Sequence, residues 1–585
     1  MPAAQFRTTG PVEVAVIVVT YDSAGDIEQM LASLRPEAAD VAMRVIVVDN
    51  ASRDDTVDRV ARLDDVVLVH GHGNLGYAGG INLAREHLGE HRAALILNPD
   101  LRVARGAVRH LLHRLTVDDT CGAVAPSIRD EAGRLARSQF REPSVRGAFA
   151  DAALGPVWPS RPVSEWERRP SAYAHARAAA WVSGAALLVS RAAWEAVGDW
   201  DEQFFLYSEE TDYCHRMRDA GFTVWYEPAA QVVHRERGSG SSPQLDALMA
   251  VNRVRYMRTH APRRAGLYRA AVWLGELLRA RRSGSHAFAA RVVRDERRWA
   301  DLPAATWHGP AGAPVASIVI PAHNEQAVIG RTLGALAEVS ARGAVEIVVA
   351  CNGCTDATAA IAAAVDGVTV VETDAPSKPG ALNLGDAAAA AWPRLYLDAD
   401  IDLPPIAIAA VARALRRPGV LAARPRFAYD TRDASAWVRA YYRARMRIPS
   451  MSQSLWGAGV YGLDREGHTR IAPFPAVTAD DVHVDRAFDD DEKEILRTPP
   501  VRVVVPRSAA ALHAILTRAR RGASEQGVDD GRRTLRDLLR TVRGPQSLVD
   551  AAVFAVATGR ARFAHRAGGG ARWERDDSSR TGAAT

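Results

Sequence analysis

The chain has 585 residues, 48% of them hydrophobic and 24% charged, with a formal net charge of +5 and a pI near 9.1. That suits several globular domains with ordinary cores, and the modest, dispersed positive excess fits polyanionic ligands or an anionic membrane surface without specifying nucleic acid. The four cysteines make no disulfide framework for this length, and no stretch approaches ~20 apolar residues, so a reducing, cytoplasmic setting is expected, with peripheral contact at the inner face of a membrane left open.

After a short lead at 1–12, residues 13–20 read as a buried strand followed by Tyr21-Asp-Ser23. Residues 26–34 read as a crossover helix, and 43–48 as a second strand ending in Asp49-Asn50. A helix over 52–62 and a strand over 66–69 come next. Gly73-Asn-Leu-Gly-Tyr-Ala-Gly-Gly-Ile-Asn82 is a glycine-rich loop running into a helix, which lets backbone approach a nucleotide diphosphate; the plainer alternative is a tight turn. The apolar run from Ala94 ends in Asn98-Pro-Asp100. Strands alternating with helices predict an α/β fold with a mostly parallel sheet. Residues 120–180 read as irregular, and 181–190 as a further strand. Glu209, Glu210 and Asp212 stand at the head of a helix, either as partners of its N-terminal dipole or as a general base with an orienting partner. A strand over 223–226 leads to His234, a candidate metal or phosphate ligand.

Residues 241–313 carry apolar and basic positions at helical spacing and end in the linker-like Trp307-His-Gly-Pro310. They suit packing on the preceding domain, with a membrane-surface helix around 270–278 as the alternative. Strand and helix signals then resume. Val315–Ile320 precedes Asn324-Glu325, and Val345–Ala350 precedes Cys351-Asn-Gly-Cys354. Lys378, one of only two lysines in the chain, lies in Ala375-Pro-Ser-Lys-Pro-Gly-Ala-Leu-Asn383, where a pyrophosphate needs a cation; a solvated lysine is the plainer alternative. Leu395–Leu397 ends in Asp398 and Asp400, placed to hold a hard divalent cation at the carboxyl end of a strand. Further on lie a glycine-rich aromatic segment with Trp456, Gly457 and Tyr461, the paired carboxylates Asp480 and Asp481, a strand over 501–505, and His513. Asp22, Asn50 and Asp100 are matched by Asn324, Asn352 and Asp400 at offsets of 302, 302 and 300, which indicates duplication of a whole domain.

On the motifs Val19-Thr-Tyr-Asp-Ser23, Val48-Asp-Asn-Ala-Ser52, Asn74–Asn82, Asn98-Pro-Asp100, Glu209-Glu-Thr-Asp212 and His234, the first half resembles the family 2 glycosyltransferases of GT-A fold, in their rhamnosyltransferase-like branch. The second half resembles the same family over about 314–526. The resemblance implies two Rossmann-like GT-A domains in tandem, at 13–240 and 314–526, joined by the helical connector. A basic helical extension is expected at 527–565, and the Gly/Arg/Asp/Ser composition beyond it predicts a disordered tail at 566–585. It implies donor-binding roles for Tyr21, Asp22, Asp49, Asn50, Asn74, Gly79 and Asn98, and for Asn324, Glu325, Asn352, Lys378, Asn383 and Asp398. It implies a divalent cation, Mg²⁺ or Mn²⁺, at Asp100 and His234 and at Asp398, Asp400 and His513. Glu210 and Asp481 fall at the catalytic-base positions, beside Glu209 and Asp480; Trp456, Gly457 and Tyr461 face an acceptor. Asn98 stands where the family has the first Asp of its DxD, and Glu210 where it has Asp. The implied activity is inverting transfer from nucleotide-sugar donors to a glycan or lipid-linked glycan, with no nucleic-acid partner. The alternatives are one catalytic half with a scaffold half, or a sugar nucleotidyltransferase.

Overall fold

The computed structural model describes residues 5–154, 163–235, 242–281, 283–477, 479–525 and 531–566. The expected boundaries at 240 and 526 and the expected tail beyond 566 lie outside the described residues. The chain divides into two units, Met1–Trp307 and His308–Thr585.

In the first unit the strands are β1 (Val12–Thr20), β2 (Met43–Asp49), β3 (Val67–His70), β4 (His91–Leu97), β5 (Leu101–Val103), β6 (Cys121–Arg129), β7 (Gln139–Phe140), β8 (Arg177–Ala179), β9 (Trp181–Val182), β10 (Ala186–Ser190) and β11 (Thr223–His234). Nine of them form one sheet in the order β3-β2-β1-β4-β10-β6-β11-β5, with β8 on β11. β1 lies parallel to β2 and β4, whereas β10 runs antiparallel to β4 and β6. Val14–Val18 and Val45–Val48 are buried on both faces, which is why they read as continuous apolar runs rather than alternating ones. One face carries Ile27, Met30, Leu31 and Leu34 of the helix Ile27–Ala38, and the other carries Ala78 and Ile81 of the helix Gly76–Ala84.

The expectation of irregular backbone over 120–180 is corrected. β6 is a central strand there, and Val145–Leu154 is a helix. Gly122 and Pro126 inside β6 mask its strand signal. β11 is also longer than the expected 223–226. Its register on β6 jumps between Glu227 and Gln231, so the extra residues around Pro228 are absorbed as a bulge and the strand resumes to His234.

The helices Pro243–His260, Ala265–Arg279 and Gly284–Arg294 belong to this same unit. Leu248, Val251, Tyr256, Tyr268 and Val293 form a core with Ala148 and Phe204. Among the described residues no helix is long and apolar enough to cross a membrane.

The second unit repeats the plan with β12 (Ser317–Ala322), β13 (Glu346–Asn352), β14 (Val368–Thr373), β15 (Arg394–Leu397), β16 (Ala422–Asp430), β17 (Val460–Leu463) and β18 (Lys493–Val504), in the order β14-β13-β12-β15-β17-β16-β18. The order of the first four mirrors β3-β2-β1-β4, and β17 takes the place of β10, antiparallel between its neighbours. β18, expected only over 501–505, begins at Lys493 and crosses Pro499-Pro500 through a register shift on β16, as β11 crosses Pro228. The helices Ala509–Glu525, Gly531–Arg540 and Pro545–Arg566 complete the unit.

Candidate active site

In the first unit the parallel strands end on a rim of turns. Asp22 sits at φ 50°, accepts from the Arg53 amide at 2.7 Å and pairs with the Arg53 guanidinium, which holds its carboxyl below the usual range. Tyr21 is 41% exposed, with that guanidinium 5.5 Å from its ring centroid. Asp49 is buried, and its carboxylate is taken up by Thr20 and Ser52; it builds the turn at the end of β2. Asn50 donates to the Gly76 carbonyl, and Asn74 accepts from the Gly76 amide, so both shape the glycine-rich segment. Gly76, at φ 75°, lets the Phe205 carbonyl come so close that an added Cβ would lie 2.3 Å from it. Gly79 packs on Leu75 within the helix.

At the end of β4, the Asn98 amide donates to Ala185, and Asp100 is buried with Oδ1 3.1 Å from His234 Nε2. The antiparallel pairing of His234 with Leu101 puts the imidazole there. Tyr207 and Ser208, at φ 71° and 72°, form a left-handed pair that reverses the chain into the helix Glu209–Asp219. Two such residues in succession cost free energy that the surroundings must offset. Asn252 supplies part of that support, donating to the Leu206 and Tyr207 carbonyls at 2.9 and 3.1 Å. Glu209 is buried, and its Oε2 has no hydrogen-bond partner. Burial, and then the Glu210 charge, push its pKa well up; burial raises that of Glu210 to about 7. Gly184 leaves room for Glu210, whose Cβ a methyl there would meet at 3.2 Å.

Tyr77, which motif reading treats only as part of the glycine-rich segment, donates to the Gly184 carbonyl at 3.2 Å. Burial, and then the charges of Glu209, Glu210 and Asp100, raise the pKa of its hydroxyl well above the usual value. Asp212 does not join them. It is fully buried and paired with Arg216 at 2.8 Å and His260 at 2.7 Å, with its pKa lowered; it anchors the helix.

In the second unit a narrow cleft is lined by Lys378, Asp398, Gly457, Tyr461, Asp480 and Asp481, among others. Lys378 Nζ lies 2.9 Å from both Asp398 Oδ1 and Asp480 Oδ1. Burial works against that ammonium, but Asp398 and Asp480 outweigh it and raise its pKa well above the usual value. Tyr461 is buried and donates to Asp480 at 3.3 Å. Asp481 accepts from the Gly457 amide at 3.4 Å; burial and then Asp480 lift its pKa to about 6. Gly459, at φ 67°, brings backbone up to Asp398, whose own amide donates to its carbonyl at 2.8 Å. Trp456 stands nearby under the Arg445 guanidinium, 5.3 Å from the ring centroid. The Asp400 carbonyl accepts from Arg331.

Several expected donor-site residues carry the turns of this half. Asn324, at φ 53°, accepts from the Thr355 amide as Asp22 does from Arg53. The Glu325 amide donates to Thr358, and Asn352 donates to the Ala322 carbonyl. The Asn383 amide is spent on the Phe474 backbone, accepting from its N–H at 2.8 Å and donating to its carbonyl at 3.0 Å. Asn82 makes the same strap to Trp200 in the first unit. Cys354 Sγ accepts from the Asn324 amide, and the buried Cys351 thiol is pushed up to about 12, so the CxxC pair serves a turn. His513 is not brought to this cleft. β18 ends at Val504, and His513 sits on the next helix, lining a different cleft with Trp437, Leu512, Ala557 and Arg560.

Among the described residues no three His, Cys, Asp or Glu side chains are grouped to hold a metal by themselves. Asp100 and His234 nevertheless make a hard-oxygen and imidazole pair that fits a divalent cation completed by diphosphate oxygens. In the second unit Asp398 and Asp400 could serve likewise, although the Lys378 ammonium stands against Asp398.

Two units of GT-A fold, each with a strand-end carboxylate and a pair of acids at a helix start, are those of a glycosyltransferase that uses nucleotide-sugar donors. The description "Glycosyl transferase family 2" matches residues 15–166 and 317–458, and the chain belongs to that family. An N-acetylglucosaminyl-diphospho-decaprenol L-rhamnosyltransferase of Mycobacterium tuberculosis is 32% identical over 266 residues, covering 44% of this chain and 86% of that protein. The low-salt glycan biosynthesis hexosyltransferase Agl10 of Haloferax volcanii is 26% identical over 38% of this chain and 67% of its own length. A solved mannosyltransferase of Pyrobaculum calidifontis, in complex with GDP-Man and Mn²⁺, covers 50% of this chain and 78% of its own at 20% identity and a TM-score of 0.31.

Proposed function

We propose that the chain is a bifunctional inverting glycosyltransferase whose two units each add a sugar to a hydroxyl of a cell-surface glycan or lipid-linked glycan precursor. The observation that carries this reading is that both units keep a strand-end carboxylate, Asp100 or Asp398, beside an acid pair whose second member has a raised pKa, Glu210 at about 7 and Asp481 at about 6. A base with a pKa near the operating pH is the one suited to take a proton in the transition state.

In each unit the acceptor oxygen attacks the anomeric carbon from the face opposite the diphosphate, while Glu210 or Asp481 takes its proton; one displacement inverts the centre. Tyr77 holds Glu210's surroundings through Gly184, and Gly457 aims Asp481. A divalent cation on Asp100 and His234 would offset charge on the departing diphosphate. In the second unit Lys378 supplies positive charge at the corresponding place. The M. tuberculosis relative, matched by the first half, favours a deoxysugar donor and a prenyl-diphosphate-linked acceptor for unit one; the second donor is left open.

The test is donor binding and hydrolysis across a panel of nucleotide sugars with Mn²⁺, on wild type and on Asp100→Ala and Asp398→Ala separately. Each exchange is expected to abolish use of a different donor. If one abolishes everything and the other changes nothing, one unit is a scaffold and the bifunctional reading fails.

A further inference from the structure

The last helix, Pro545–Arg566, has apolar residues on both of its faces. Its inner face buries Phe554, Ala557 and Ala561, and its buried Asp550 is clamped by Arg443 at 2.7 Å and Arg447 at 2.9 Å. The helix is therefore fixed in rotation, and a second apolar stripe is turned outward. Leu548 is 59% exposed, Val556 47% and Phe563 77%. With Ala552 and Gly559 they stand at successive turns of one face. The neighbouring helix Gly531–Arg540 exposes Leu535 and Leu539 in the same way while burying Leu538.

Apolar side chains repeated along one solvent face of a rotationally fixed helix form a stripe, and such a stripe marks a contact surface. The fully exposed charged residues among these positions are basic, Arg536, Arg543 and Arg560 with them; the acids Asp537 and Asp550 are turned inward or buried. Ala557 and Arg560 also border an apolar cleft of about 370 Å³ with Trp437, Leu512 and His513. Apolar side chains interleaved with arginines, beside a cleft that joins an apolar wall to a guanidinium, are complementary to the headgroup and acyl boundary of an anionic bilayer.

We infer that this C-terminal helical layer of the second unit docks on an anionic lipid surface, with Leu548, Val556 and Phe563 entering the interface and Arg536, Arg543 and Arg560 meeting lipid phosphates. The inference stands on this surface and not on the donor chemistry. The layer lies on a helix that makes no part of either acid site, so losing it should leave sugar transfer to a soluble acceptor intact.

The test is flotation of the full chain with phosphatidylglycerol/phosphatidylcholine vesicles and with phosphatidylcholine alone. Wild type is expected to float with the anionic vesicles, less with the neutral ones, and less as salt is raised toward about 1 M, where the screening length is about 3 Å. The triple exchange Leu548→Asp, Val556→Asp and Phe563→Asp should lower partitioning tenfold or more with an unchanged thermal melt. A second variant, Arg536→Gln, Arg543→Gln and Arg560→Gln, touches only exposed side chains; it should remove the preference for anionic vesicles. Wild type that does not float overturns the inference, as do variants that float like wild type. So does a concentration-dependent dimer, seen by sedimentation without lipid, that the apolar variant dissociates, because the stripe then belongs to a second copy.

Discussion

The two acid sites have the same ancestry in sequence and different electrostatics. In the first, Glu209 and Glu210 are packed side by side, Asp100 faces His234, and no Lys or Arg ion pair is seen on either glutamate among the described residues. In the second, Lys378 bridges Asp398 and Asp480 and leaves Asp481 as the acid with the raised pKa. A site without an internal cation keeps its acids protonated to higher pH; one with a built-in ammonium frees its base earlier. Duplication kept the carboxylates and changed the countercharge, so the two units are expected to differ in pH response and cation dependence while sharing a geometry.

The sharpest way to separate them is to remove each base. Glu210→Gln should lower first-unit transfer by about 10²–10⁴-fold and leave the second unit's product unchanged; Asp481→Asn should do the reverse. Product analysis with both donors present checks this, and loss of both products from either variant would break the comparison. The acid limbs of the two rate profiles come next. The base must be deprotonated, so transfer is lost as pH falls through about 7 in the first unit and through about 6 in the second. Lys378→Gln sharpens the contrast: Asp481 loses a charge that lowers its pKa, and the second unit's limb should move to higher pH while the first stays in place.

Two smaller effects test the scaffold of the first site. Asn252→Ala removes the donor to the Leu206 and Tyr207 carbonyls, beside the left-handed pair 207–208, and should cost about 1–3 kcal/mol of stability in that unit. It should also lower kcat about tenfold through misplacement of Glu210, with KM for the donor little changed, as steady-state kinetics would show. Glu209→Gln should raise the melting temperature at pH 8 more than at pH 4. The folded-state pKa of Glu209 is raised, so its cost appears as pH climbs above the unfolded carboxylate value, and a neutral amide does not incur it; the gain at pH 8 is on the order of 1 kcal/mol. Equal gains at both pH values would assign the effect to packing.

The sequence by itself determined the duplicated α/β plan, because strands buried on both faces must be apolar throughout and their carboxyl ends are marked by Asp and Asn at nearly constant offsets. It also marked both acid pairs, which stand at helix starts where carboxylates are conspicuous. It did not reveal β6 or the full lengths of β11 and β18, since glycine and proline interrupt the local signal and only pairing with neighbouring strands restores them. Nor could it sort residues that hold the site from residues that face it. Asp49, Asn383 and Asp212 look as functional as Asp100, and tertiary hydrogen bonds to Thr20, Phe474 and His260 give each of them a structural task. Tyr77 reaches the Gly184 carbonyl and Lys378 pairs with Asp480, each more than 100 residues away in sequence. Groups that distant meet only when the chain folds, so which acid carries a neighbouring charge, and hence which one is poised as a base, is a property of the tertiary structure alone.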